Sequence, residues 1–525
     1  MKRFTEIQFW LVLIFFVIVS LLPDTTLYAD TSAKSGLESK EIRDDFEGEE
    51  GENEDDLAGF EEDENEETGF TDDTGFQQAD LRQTETEGVE DRFILFGGFF
   101  KEDLGYSYEN DETYPKWSKI RSILNLNIDF NLTSEWRAKA VWNGFYDYAY
   151  SHFGKENFSS DTLESYESES EIRDLFLDGA LSSWLRIKIG RQIIAWGQSD
   201  VEQITDMANP RDLRELGMVD IEDARVPILA SKISLQINTW ETNLVAIHEF
   251  RPNKTPTEGS EFDPLAALRE NFVILDEEVP ENNLENTEYL VRVFKTFNGG
   301  DFGIVWADVH DDGYHLDFES YDALQNQLSL TPRHRRVQSG GFSGNLVKGS
   351  WLFKTEFAKK TGVAIARNAA DIAKQIMATA TVAQMTGNTY YNRESQIIAT
   401  WSEKDLLQIM LGFEYSGLDD FTISLEGDLE KIEAYDDNLG SREISGSASL
   451  HISYTALNDT FAANFFLFHL TDDNGNVYRI NLDYDLIDAL NASGGWVVYD
   501  ASETDAMIYP FRKNDRLFAA LKYSF

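Results

Sequence analysis

From about residue 92 to its last residue, the chain repeatedly alternates apolar and polar side chains with a period of two. Leu124, Leu126, Ile128, Phe130 and Leu132 alternate with Asn125, Asn127, Asp129 and Asn131. Trp136, Ala138, Ala140, Trp142, Tyr146 and Tyr148 share a face opposite Arg137, Lys139, Asn143 and Asp147. The pattern returns with Leu185, Ile187 and Ile189 around Arg186 and Lys188, and with Leu229, Ile233, Leu235 and Ile237 around Lys232, Ser234 and Gln236. It returns again at Tyr478, Ile480, Leu482 and Tyr484. Successive side chains of a strand point to opposite faces, so each stretch specifies a strand with one apolar face.

A soluble sandwich alternates too, and three further features separate the two cases. The segments run to roughly 10 residues, the length of a tilted membrane crossing, against roughly 5 or 6 for a globular strand. Aromatics such as Trp136, Trp184, Tyr289, Trp351 and Tyr523 fall near segment ends, where interfacial girdles belong. Tight joins at 132–135, 181–183, 238–242 and 298–301 interleave with long connections at 104–116, 151–170, 196–224, 251–286 and 311–333. Short turns on one side and long loops on the other are the habit of outer-membrane barrels. The expected fold is all-β: an antiparallel transmembrane β-barrel of roughly 14 to 18 strands over residues 92–525, even in number, with polar side chains facing the lumen. The last third is ambiguous. Residues 363–385 are Ala-rich and read as a helix in a long loop, while 397–401 and 496–499 fit either strand or loop.

The N-terminal residues read differently. Lys2 and Arg3 precede an apolar run over 9–22, then Pro23 and the small-residue site at Ala29, which is the layout of an export signal over residues 1–29. That run is too short for a helical span. Residues 30–91 hold about 25 acidic against about 4 basic side chains, a local charge of about −21. With few large apolar residues this segment cannot offset its chain entropy, and disorder is expected. It reads as a solvated linker or as an arm for a periplasmic protein partner. The formal charge of −50 and the lack of a basic face exclude nucleic acid.

The most individual stretch is Gly190-Arg191-Gln192-Ile193-Ile194-Ala195-Trp196-Gly197-Gln198, followed by Asn209-Pro210-Arg211-Asp212-Leu213 and Val226-Pro227. Here the chain resembles a family of uncharacterised proteobacterial outer-membrane proteins, a domain of unknown function. Its members share a Gly-Arg-Gln…Trp-Gly strand end and an Asn-Pro-x-Asp-Leu loop. The Gly-Arg-Gln strand is also similar to that of alginate-export-type barrels. The resemblance covers residues 190–227, together with the general barrel pattern and the terminal Tyr523-Ser524-Phe525, and it implies transport with no agreed substrate. The terminal aromatic, after Leu517, Ala519, Leu521 and Tyr523, resembles the signal that the outer-membrane assembly machinery reads.

Arg191 keeps the register of Ile187 and Ile189, which would aim it at lipid. That is costly at mid-membrane, so either it lies at the outer interface or a bulge at Gly190 turns it inward. It bonds loop carbonyls or a carboxylate, or it anchors the 196–224 loop in the barrel mouth. Gln192, Trp196, Asn209, Pro210 and Asp212 are the accompanying anchor candidates, and Asn209-Pro210 would fix a turn. Arg137, Lys139, Arg186, Lys188 and Lys232 are candidate lumen residues, either solvated wall or elements of selectivity.

Little supports catalysis. The seven histidines are scattered, none paired at zinc spacing, and no nucleophile elbow occurs. His310 and His315 flank Asp311-Asp312-Gly313, a turn that could also hold a metal. No cofactor, metal or enzymatic activity is expected. Two functions compete. The first is a porin-like channel or export conduit, with the motif loop and residues 363–385 as candidate plugs. The second is a closed barrel that binds a periplasmic or envelope complex through its acidic arm. Outer-membrane lipid and lipopolysaccharide are the expected surroundings.

Overall fold

The computed structural model describes residues 93–525 apart from 110–113, 200, 202–203, 219–223, 472–474 and 505. The expected export signal (1–29) and acidic segment (30–91) lie outside the described residues. In chain order the strands are β1 (Ile94–Ser107), β2 (Trp117–Asn131), β3 (Trp136–Asp147), β4 (Ser168–Ser182), β5 (Leu185–Gln192), β6 (Ile228–Ile237) and β7 (Trp240–Ile247). Next come β8 (Phe272–Ile274), β9 (Glu288–Phe297), β10 (Gly300–His310), β11 (His315–Asp322), β12 (Gln327–Arg333), β13 (Arg336–Lys348), β14 (Trp351–Ala366) and β15 (Tyr390–Asn392). The last are β16 (Trp401–Leu418), β17 (Phe421–Ile432), β18 (Ile444–Ala456), β19 (Phe461–Leu470), β20 (Gly475–Ile487), β21 (Leu490–Asp500) and β22 (Arg516–Ser524).

Eighteen of these form one sheet, and β8, β11, β12 and β15 form a second sheet of four. In the large sheet each strand pairs antiparallel with the next barrel strand along the chain, and β22 pairs with β1. The circuit is closed, so no edge is left to hydrogen-bond elsewhere, which is the condition for a sheet in lipid. Phe525 seals the seam: its N–H donates to the Gly98 carbonyl at 3.0 Å, and the Gly98 N–H donates to its carbonyl at 3.0 Å.

All joins at one end are short, among them 132–135, 183–184, 238–239, 298–299, 349–350, 419–420 and 488–489. Asn238, Gly299, Gly349 and Asp420 take positive φ there, as two-residue hairpin turns require. The opposite end carries the long connections. Trp184, Trp240, Trp351, Phe421, Tyr523 and Phe525 stay exposed around the short-turn end and form a girdle. Between the two ends the outward positions are apolar, as at Leu175, Leu177, Ile189, Ile304, Trp306, Ile409 and Leu411.

Three sequence expectations need correction. Val363 and Ala366 lie in β14, and the helix occupies Ala369–Thr386, because Asn368 caps it by accepting from the Asp371 N–H at 2.8 Å. That helix's Ala383, with Ile372 and Ile376, packs against Phe318, Tyr321, Leu328 and Leu330 of the second sheet. Of the two ambiguous stretches, 496–499 is barrel strand within β21, whereas of 397–401 only Trp401 is. Third, the inner wall is not polar throughout. Ile228, Ala230, Val245, Ile247, Leu290, Val305, Ala307 and Val309 face inward and are buried in one apolar cluster. What covers them is the long connection between β5 and β6.

Candidate functional site, a strap across the lumen

Residues 193–227 leave β5 and return to the adjacent β6. Between those points the described residues enter the barrel instead of looping outside. Ile194, Trp196 and Ala208 join the inward apolar cluster, and Trp196 is 1% exposed. Fully burying side chains of this size stabilises by about 1.5–3 kcal/mol each, enough to hold a loop inside against its chain entropy.

Glu356 on β14, fully buried, is the first anchor. Its carboxylate accepts from the Gln198 N–H, the Ser199 N–H at 2.9 Å, the Thr205 N–H at 2.8 Å and the Thr205 hydroxyl at 2.7 Å. Glu426 on β17 accepts from the Ser199 hydroxyl at 2.9 Å. Backbone donors inside a protein must find acceptors, and one carboxylate here satisfies three of them.

The second anchor lies on the other side. Glu215 pairs with Lys119 and, at 2.9 Å, with Arg121, both on β2. Leu216 accepts from the Tyr499 hydroxyl of β21 through its carbonyl, and Gly217 lies against Val477 and Val497. Burial alone would raise the Glu215 pKa, but Arg121 and Lys119 outweigh it and hold the carboxyl well below the usual carboxylate range. In the circuit of eighteen strands, β2 stands directly opposite β14. The connection is therefore a strap across the full width of the lumen.

The motif residues build the strap's two ends. Asn209, fully buried, accepts from the Ile194 N–H at 2.7 Å and donates to the Val226 carbonyl at 2.7 Å, tying outgoing and returning chain together. The Pro210 carbonyl accepts from the Val226 N–H at 2.7 Å. Asp212 donates its N–H to the Ala224 carbonyl and accepts from Arg214 at 2.9 Å. Gln192 faces inward, fully buried, and donates to the Ala230 carbonyl at 3.0 Å. The structure thus brings Gln192, Trp196, Asn209, Pro210 and Asp212 together at the strap base.

Arg191 stands apart. It stays in register opposite Leu175 and Leu229, with no register shift at Gly190, so of the two alternatives the bulge is absent. Its side chain donates to Glu249 at 2.8 Å at the long-connection rim, the structural reading of the two. Gly190 is required for another reason: its φ is 132°, and a Cβ there would lie 2.2 Å from the Leu175 carbonyl oxygen.

Of the wall candidates, Arg137 and Arg186 share Asp178, at 3.1 Å and 2.7 Å, and the Lys188 ammonium sits 4.0 Å from the Phe176 ring centroid. Lys139 faces inward between Asp129 and Phe176 in register, and Lys232 lies directly opposite Lys188. Sequence reasoning missed Glu426 and Glu215. A glutamate on an alternating strand carries no local mark of what it will meet across a barrel. His310 and His315 part company: His310 Nδ1 meets Glu288 at 2.8 Å, whereas the His315 ring lies 5.0 Å from that of Trp401. Among the described residues no three imidazole or carboxylate groups gather as metal ligands.

The DUF1302 family of proteins of unknown function matches residues 77–525. The chain belongs to that family. Among curated proteins, none matches this DUF1302 sequence. Similar solved structures include OccAB4 of Acinetobacter baumannii, with 7% identity, a TM-score of 0.45, and 83% of this chain and 99% of that one covered. The outer membrane protein opdK of Pseudomonas aeruginosa has 8% identity, a TM-score of 0.45, and coverage of 82% and 98%. Salmonella typhi OmpF has 9% identity, a TM-score of 0.38, and coverage of 82% and 97%.

Proposed function

We propose that this DUF1302 chain is an outer-membrane porin-like channel or export conduit for small to medium solutes. The observation that carries the reading is the strap: a closed, lipid-compatible barrel whose lumen is narrowed by a loop pinned to opposite walls. Eighteen strands enclose more room than side chains alone would fill, and the polar inner face at the short-turn half supports an aqueous path. The outward apolar belt and girdle suit outer-membrane lipid and lipopolysaccharide, and the sealed C-terminal Phe525 suits delivery by the assembly machinery. Export through an N-terminal signal belongs to the same reading.

The apolar packing of Ile194, Trp196 and Ala208 favours a second reading, a closed barrel that works as a binding partner of a periplasmic or envelope complex. Single-channel conductance in a planar bilayer, with and without residues 31–91, separates the two. The channel reading expects steady, salt-dependent conductance in both forms. A folded but silent barrel would sink it and favour the closed one.

A further inference from the structure

The two anchors of the strap differ in which side supplies the acid. At the β14 end the wall supplies it, through Glu356, and the strap answers with donors. At the β2 end the wall supplies cations, and the strap answers with the carboxylate of Glu215. Only the second arrangement can be copied by a free anion, because only there does a strap side chain fill a carboxylate site on the wall.

Each of the two cations keeps a wall carboxylate of its own. Lys119 lies 3.5 Å from Asp103, and Arg121 donates to Asp147 at 3.2 Å. Asp147 also accepts from the Ile120 and Ala149 N–H groups, both at 3.0 Å, which commits it to the wall and to the helix Tyr148–Phe153. Glu215 is the second carboxylate on both cations, and it bridges them. An ammonium offers three donors and a guanidinium five, so both have donors for this second carboxylate. Exchanging Glu215 for another carboxylate leaves the charge of the site unchanged.

The surroundings of Glu215 say what such a carboxylate would carry. A cavity of about 50 Å³ opens beside it, and its lining includes the rings of Tyr150, Phe158, Tyr166 and Phe262. Tyr166 and Phe262 are buried, and the Tyr150 and Phe158 ring centroids meet edge-on at 4.8 Å. Glu261, the other acid of the lining, is held by Arg516 at 3.1 Å. As it stands the cavity has room for a few waters, at roughly 10–15 Å³ each. With Glu215 drawn back, the space beside the rings suits a flat apolar body whose charged head meets Lys119 and Arg121.

We infer that this cleft is a solute site, in which a small aromatic carboxylate takes the place of Glu215 on Lys119 and Arg121 and frees that end of the strap. The inference rests on the channel reading and names both its solute class and what opens it. Glu215 is tethered, so it competes at an effective concentration on the order of millimolar. A bare carboxylate offers the same head and nothing more, and displaces it poorly. A ring buried among the aromatics strengthens binding roughly ten- to a hundredfold, which tips the exchange toward the solute.

The test is the conductance of the full protein in a planar bilayer in potassium chloride, with potassium benzoate, potassium acetate or benzamide added in turn. Benzoate is expected to raise conductance saturably, and acetate to need roughly tenfold more for the same effect. Benzamide, which has the ring without the charge, should do nothing. Glu215→Gln should raise the conductance before any addition and abolish the response to benzoate. Phe158→Ala should move the half-effective benzoate concentration several-fold upward, and it carries the test if Glu215→Gln loses the heat-modifiable mobility of a folded barrel. A conducting protein that benzoate leaves unchanged or blocks, or one on which acetate acts equally well, would overturn the site while the channel stands. So would a folded Glu215→Gln variant that answers benzoate as the parent does. A folded barrel silent with and without benzoate would overturn both.

Discussion

Glu356 and Arg191 show how differently two charged residues of one barrel are used. Glu356 lies within the wall, fully buried, with its charge met by strap donors. Replacing it with alanine orphans those donors, and each buried unmet group costs about 1–3 kcal/mol. The expected result for Glu356→Ala is a released strap, read as larger and noisier single-channel conductance than in the parent. Arg191 points outward at the rim and pairs with Glu249 while 26% of its side chain stays exposed. Rim pairs of this kind contribute about 0–1 kcal/mol, so Arg191→Ala should leave both thermal stability and conductance close to the parent. A large conductance change there would return Arg191 to the role of strap anchor.

Among elements, the strap and the second sheet divide the long connections between them. The strap is fixed by carboxylates and apolar burial at both ends. The second sheet has its own core of Phe318, Tyr321, Leu328 and Leu330 under the Ala369–Thr386 helix, and it carries a titrating group. Burial pushes the His315 pKa down to about 4, with Arg335 and His334 adding to it and Asp317 opposing. An unfolded histidine titrates near about 6.5, so between these values the unfolded segment binds the extra proton. The stabilisation is therefore complete above about pH 6.5 and is lost as the pH falls toward about 4. Proteolysis within 311–335 should accelerate over that window, and His315→Gln should flatten the dependence. Cleavage that is independent of pH in the parent would remove His315 from any such role.

At the scale of the whole molecule, closure decides stability. Phe525 makes both hydrogen bonds of the final rung with Gly98, and its ring stacks 6.0 Å from Phe96 in the girdle. Deleting Phe525 leaves the β22–β1 seam short where lipid cannot supply partners. The expected outcome is a marked fall in heat-modifiable barrel recovered from outer membranes, with the unfolded form degraded. Undiminished recovery would mean that the seam closes without its last residue.

The sequence by itself determined the strands, their lipid face, the short-turn end and the aromatic girdle. All of these follow from a period of two and from turn chemistry, which neighbours along the chain settle among themselves. It also marked the 190–227 stretch as individual, and within it Gln192, Trp196 and Asn209 are buried. What the tertiary structure alone decided was where that stretch goes and what it meets. Glu356 lies more than a hundred residues from Thr205, and the two meet only because eighteen strands close into a ring. The inward apolar cluster of Val245, Leu290 and Val305 likewise breaks the polar-lumen expectation because the strap covers it. Alternation states which face a side chain takes, but only the closed circuit states what fills the space in front of it.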